Sequence, residues 1–219
     1  MKKNNKEIKE NNLKNIDFKD KKMIILYICL GLFIILTITV LTKIISPIDS
    51  YMESLVIGIR NDKLTVIMTN ITNIARAYSL IAISILLLFI IRDKKIPLSI
   101  IINLVAVFLT SQVFKFIFRR PRPDILALVR ATGYSYPSGH TMVSTAYFVF
   151  ITYLLCKKMK NKLNKTFLII ISVIMLLLIG FSRIYLGVHY LSDVIGGFLL
   201  GIAYLMIYIK VIDKEDDKK

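Results

Sequence analysis

A chain of 219 residues in which 56% are apolar carries more hydrophobic side chain than one water-soluble core of that length can bury. Its two cysteines, Cys29 and Cys156, both lie in apolar runs, which excludes a disulfide framework and a cysteine-based metal site. A net charge of +16 fits nucleic acid only where a soluble domain presents a basic face; no such domain is visible, so no nucleic-acid partner is expected.

In chain order, residues 1–22 are charged and asparagine-rich and read as a cytoplasmic basic tail. No small-residue cleavage site follows the first apolar run, so that run is an anchor and not a removable signal. The run itself, 23–42, is long enough to cross a hydrocarbon layer about 30 Å thick as a helix. Within 44–62, Ser50-Tyr51-Met52-Glu53 fits a capping box and predicts a short helix starting there. In 64–75 the polar residues Thr65, Thr69, Thr72 and Asn73 recur at i, i+4, i+7 and i+8, one stripe of a helix. Arg76 then interrupts the pattern, either snorkelling at an interface or reaching a substrate. Residues 78–91 are apolar but short, and together with 64–75 they make one span.

Further apolar runs at 97–114, 137–156, 167–181 and from His189 to 209 bring the expected count to six. The fold class is therefore all-α: a polytopic bundle over 23–211, followed by a short cytoplasmic tail at 212–219. The third span ends at Lys115, and Pro121 and Pro123 forbid a continuous helix through 119–136. Pro137 suits the first position of the fourth span. Leu186-Gly187 is the expected turn between the last two spans, and Gly197 with Gly201 predicts a close helix contact on the sixth.

Basic residues concentrate on alternate connections. The tail up to Lys22 holds eight lysines, 92–95 three basic residues, 157–165 five and the end from Lys210 four, which is 20 of the 30. By the positive-inside rule both termini are cytoplasmic. The end of span three, the start of four, the end of five and the start of six then share the opposite membrane face.

Those four ends carry the chemistry. The chain's two histidines are His140, closing Pro137-Ser138-Gly139-His140, and His189, four residues before Asp193. A phosphomonoester repels a nucleophile by its own charge, so catalysis is largely positioning and neutralisation. Lys115, Arg122 and Arg183 supply three cations without a metal, and the arginines can hold two phosphoryl oxygens at once. Ser138 can donate a hydroxyl, Gly139 admits close backbone approach, and the free N–H groups opening span four suit an anion. His189 and Asp193, at i and i+4, would share a helix face, so the carboxylate would fix the imidazole tautomer and leave its other nitrogen to attack. His140 would protonate the leaving oxygen and later accept a proton from water.

Lys115-x6-Arg122-Pro123, Pro137-Ser138-Gly139-His140 and Ser182-Arg183-x5-His189-x3-Asp193 resemble the three-part signature of the type 2 phosphatidic acid phosphatase family. Its wider superfamily includes vanadium haloperoxidases and glucose-6-phosphatase. The resemblance implies a six-helix enzyme of the bacterial plasma membrane, working at the outer face with neither metal nor other cofactor. The implied substrate is a lipid phosphate such as undecaprenyl diphosphate, phosphatidylglycerophosphate or phosphatidate, hydrolysed through a phosphohistidine. It also implies the roles above: His189 nucleophile, Asp193 its orienting partner, His140 acid and base, and Lys115, Arg122, Ser138, Gly139 and Arg183 phosphate ligands. Two other readings are a vanadate-dependent haloperoxidase, which six spans disfavour, and a membrane protein that binds or transports an anion without catalysis.

Overall fold

The computed structural model describes the backbone of residues 2–124 and 127–216 and the side chains of 21–124 and 127–214. The lysines of the tail before Lys21, and the last residues of the 212–219 tail, lie outside the described side chains. Among the described residues the chain forms eight helices and no strand. They are α1 (Lys2–Leu41), α2 (Ser46–Gly58), α3 (Asp62–Ile74), α4 (Ala77–Ile90), α5 (Lys95–Phe118), α6 (Gly139–Lys158), α7 (Lys162–Tyr185) and α8 (Leu191–Asp216).

Five of these are long and apolar enough to cross a membrane: Lys21–Leu41 of α1, then α5, α6, α7, and Leu191–Lys214 of α8. The expected second span is broken, because α3 and α4 pass that test only as a pair and meet at an angle of 49°. Ala75, the C-cap of α3, and Arg76, the N-cap of α4, lie between them. The multi-pass character is also written in the surface. Side chains such as Ile28, Ile35, Phe89, Phe116, Leu163 and Phe167 point outward with more than half their area exposed. Meanwhile Ser84, Asn103, Ser111, Thr145 and Ser144 are buried between helices. Apolar residues facing out and small polar residues facing in suit a lipid solvent.

Helix α6 is central, packing against α8, α5 and α7, while α1 lies along α8 and α3 along α7. The α6–α8 contact depends on the two glycines foreseen for it. A Cβ on Gly197 would stand 2.7 Å from the Ser138 carbonyl oxygen, and one on Gly201 would stand 2.9 Å from that of Met142. Hydroxyl and amide groups then tie neighbouring helices: Asn103 donates to the Ala146 carbonyl, and Thr152 meets Ser172.

Several boundaries differ from the sequence reading. Helix α2 starts at Ser46, with Pro47 in its first turn, so Ser50 lies inside the helix and caps nothing. Helix α5 runs past Lys115 to Phe118 and stops where Arg119 turns left-handed at φ 47°. Pro137 precedes α6 instead of opening it, because Ser138 is the N-cap and accepts the Thr141 N–H. The Asn161 side chain likewise caps α7, drawing Lys162 and Lys165 into a helix that continues to Tyr185. Helix α8 begins at Leu191, which leaves His189 in the turn before it.

Candidate active site

The last turn of α5, the 119–138 loop, the first turn of α6, the last turn of α7 and the turn into α8 meet at one end of the bundle. Lys115, in the last turn of α5, donates from Nζ to the Tyr134 carbonyl at 2.6 Å. Arg122 is held by three backbone carbonyls, those of Gly133, Val188 and Thr132, at 3.1, 2.7 and 2.8 Å. Its Nη1 also meets His189 Nε2 at 3.2 Å. Arg183 donates from Nη1 to the Thr72 hydroxyl at 2.6 Å, and its buried Nε has no partner among the described residues. Thr72 belongs to the polar stripe of α3, which therefore faces α7; Thr65 on the same stripe meets the Tyr185 hydroxyl.

His189 is 2% exposed. It precedes α8 instead of sharing a helix face with Asp193, yet the expected contact exists: Nδ1 lies 3.3 Å from Asp193 Oδ2. What produces it is a helix start. Asp193 sits in the first turn of α8 and its Oδ2 also accepts the Tyr190 N–H at 2.9 Å, half of a capping box. Burial first, then Lys115, Arg183 and Arg122, push the His189 imidazole well below its ordinary pKa.

Three carbonyls beside Arg122 and a hydroxyl beside Arg183 are not counter-charges. Among the described residues no carboxylate lies within ion-pair distance of Lys115, Arg122 or Arg183, whereas Arg120 pairs with both Asp49 and Asp193. Burial lowers the Arg122 guanidinium, offset in part by Asp193. Arg120 behaves differently: burial alone would lower it, but Asp193 and Asp49 together raise it. Among the described residues no group of three or more His, Cys, Asp or Glu is placed to hold a metal ion.

A cavity of about 620 Å³ opens over this arrangement. Six of the eight residues singled out in the sequence line it: Lys115, Arg122, Gly139, His140, Arg183 and His189. His140 Nε2 is buried there without a hydrogen-bond partner among the described residues. Ser138 and Asp193 sit directly behind the wall, both fully buried, and are joined where the Ser138 N–H donates to the Asp193 carbonyl. The Ser138 oxygen accepts from Thr141, and no acceptor takes its own proton among the described residues. Away from the charges the same cavity is walled by Leu80, Ile81, Leu104, Val105, Phe108 and Val143 of α4, α5 and α6. It thus pairs a cationic floor with an apolar flank.

A sequence profile described as the PAP2 superfamily matches residues 96–217. The chain belongs to the PAP2 superfamily. Among its relatives, phosphatidylglycerophosphatase B of Bacillus subtilis (strain 168) is 30% identical over 187 residues, covering 84% of this chain and 92% of the relative. An undecaprenyl-diphosphatase of Sulfolobus acidocaldarius is 32% identical over 152 residues, 66% of this chain and 69% of its own length. The crystal structure of a transmembrane PAP2-type phosphatidylglycerolphosphate phosphatase from Bacillus subtilis superimposes with a TM-score of 0.80 at 28% identity, covering 86% of this chain and 96% of that one. That of Aquifex aeolicus LpxE gives 0.58 at 29%, covering 72% and 92%. This PAP2 protein is a phosphatase, and it is a multi-pass membrane protein.

Sequence reasoning left Asp49, Ser192 and Thr72 out of the site and did not separate Arg120 from its basic neighbours. The polar stripe on α3 was the signal for Thr72. Asp49 had none, since it meets Ser192 across 143 residues of chain.

Proposed function

We propose that this phosphatase hydrolyses the terminal phosphoryl group of a lipid phosphate through a phosphohistidine on His189. What carries the reading is a single cavity wall. On it two imidazoles and three cations lacking carboxylate partners converge, continuous with an apolar flank between α4 and α5. A dianionic headgroup answers the unpaired charge, and a hydrocarbon tail answers the flank. The names of the relatives support the same substrate class, namely phosphatidylglycerophosphatase B and undecaprenyl-diphosphatase. An undecaprenyl diphosphate is the first substrate to test, followed by phosphatidylglycerophosphate and phosphatidate.

In this mechanism His189 carries its proton on Nδ1, donated to Asp193, so Nε2 keeps the lone pair. Arg122 Nη1, resting against Nε2 in the free enzyme, moves to a phosphoryl oxygen and releases that pair. Lys115, Arg183, the Ser138 hydroxyl and the Gly139 N–H hold the remaining charge. Nε2 then bonds to phosphorus as the bond to the lipid oxygen breaks. That oxygen leaves with the electron pair and takes a proton from His140. Water next attacks phosphorus and gives a proton to His140. The nitrogen–phosphorus bond breaks, its electrons return to Nε2, and inorganic phosphate departs.

The orientation follows from charge. With the lysine-rich connections cytoplasmic, both termini are inside and the cavity faces outward at headgroup depth in a bacterial plasma membrane. The decisive experiment incubates purified protein and chelator briefly with lipid carrying labelled phosphate, then quenches. Label on His189, and turnover lost by His189→Ala, is the expected result. Undiminished turnover by His189→Ala in clean vesicles sinks the proposal.

A further inference from the structure

None of the three signature blocks contains Asp49, yet it is 1% exposed at the heart of the site end. It arrives on α2, a helix anchored by Val56 in a cluster with Tyr185, Leu186, Val188 and Val194. Asp49 Oδ1 accepts the Ser192 N–H at 3.0 Å; Oδ2 accepts the Ser192 hydroxyl at 2.6 Å and Arg120 Nη2 at 2.8 Å. The other arm of the same guanidinium, Nη1, donates to Asp193 Oδ1 at 2.6 Å and to Ser192 Oγ at 2.7 Å. Beneath it lies the Tyr190 ring, 4.0 Å from the guanidinium carbon. One guanidinium is therefore stretched between two buried carboxylates, one arm to each.

That division matters because the two oxygens of Asp193 have different duties. Oδ1 belongs to Arg120, and Oδ2 faces His189 Nδ1 and the Tyr190 N–H. An arginine and a carboxylate left to themselves close into a fork with two parallel hydrogen bonds. Such a fork would take Oδ2 away from the imidazole. Asp49, by occupying Nη2, prevents it.

We propose that Asp49, acting through Arg120, is a positioning residue for phosphoryl transfer: it holds one arm of the guanidinium so that Asp193 keeps one oxygen for His189. This rests on reading His189 as the nucleophile. The residue touches neither substrate nor reacting atom, so its removal affects the orientation of the attacking ring and leaves binding alone.

The test is a two-by-two set: wild type, Asp49→Asn, Arg120→Lys and the double variant, each assayed for kcat, KM and melting temperature on a lipid phosphate in detergent. Asp49→Asn is expected to lower kcat by about tenfold or more, with KM and melting temperature nearly unchanged. Lysine is a point donor that cannot fork onto Asp193, so Asp49→Asn added to Arg120→Lys should cause little further loss. Equal losses in both backgrounds, or wild-type kcat in Asp49→Asn, overturn the proposal. Should Asp49→Asn fail to fold, Asp49→Glu decides, since it keeps the charge but carries the carboxylate away from its place on Arg120 Nη2. A smaller fall in kcat at constant KM supports positioning, and no change rejects it. His189→Ala run alongside separates the two ideas: if it retains turnover, the phosphohistidine reading fails, whereas a normal Asp49→Asn beside a dead His189→Ala sinks only this one.

Discussion

The two ends of the bundle both gather charge but treat it in opposite ways. At the end of α1, α6 and α8 away from the cavity, Asp213 of α8 receives Lys22 of α1, the Tyr153 hydroxyl of α6 and, at 3.8 Å, Lys157. Cation and carboxylate are matched, the groups are partly exposed, and the result is a staple between three helices. At the cavity end Lys115 and Arg183 are buried and Arg122 is partly so, and their partners are carbonyls, one hydroxyl and the His189 imidazole. Buried cations without carboxylates are destabilising by themselves. On the proposed function, a phosphate entering the cavity would supply what they lack. Missing counter-charge, more than charge itself, sets the cavity end apart from the staple.

If that contrast is right, perturbations should grade from severe at the cavity end to mild at the other. The largest effect belongs to His140, the imidazole with an orphaned Nε2. His140→Ala should lower kcat on a lipid monophosphate by about 10²–10⁴. Formation of the phosphoenzyme from p-nitrophenyl phosphate should suffer less, because that leaving group needs no proton; single-turnover rates on the two substrates check this. Next comes Thr72, whose hydroxyl holds Arg183. Thr72→Val should weaken kcat/KM by about tenfold, the size of one charge-assisted hydrogen bond, and steady-state kinetics on vesicles would reveal an intact value if the anchor is dispensable.

A third effect is on stability and follows from the depressed pKa of His189. Below the unfolded value, near pH 6.5, the unfolded chain binds a proton that the folded protein refuses. Stability from this group is therefore full above that pH and declines beneath it, by at most about 1.4 kcal/mol per pH unit. Denaturant unfolding of wild type and His189→Gln across pH 5–7 measures it; parallel curves would contradict it. The smallest effect is at the staple. Asp213→Asn should cost less than about 1 kcal/mol and leave kcat alone, as thermal melting and turnover would show. A large loss of activity there would mean the two ends are not independent.

How legible all this was differs from residue to residue. Lys115, Arg122, His140, Arg183 and His189 were singled out by motif spacing, and they do line one cavity; Lys115, His140 and Arg183 sit at helix ends, Arg122 and His189 in the loops beside them. The polar stripe of α3 was legible as a stripe, though not as the anchor of Arg183. His189 was found for a partly wrong reason: the i, i+4 contact with Asp193 is made by a helix start, not by a helix face. Arg119 and Arg120 read alike as neighbours in one basic run. Only the left-handed turn at Arg119 separates them, after which Arg120 reaches two buried carboxylates while Arg119 donates to the carbonyl of Phe116.

Sequence alone determined the class of the molecule, its long apolar helices to within shifted boundaries and which residue types gather at one end, because hydrophobic length and motif spacing are local properties of the chain. Tertiary structure decided which charges are paired. Ion pairing depends on distance in space, and Asp49 reaches Ser192, Arg120 and, through them, Asp193 only once α2 has folded over the α7–α8 turn.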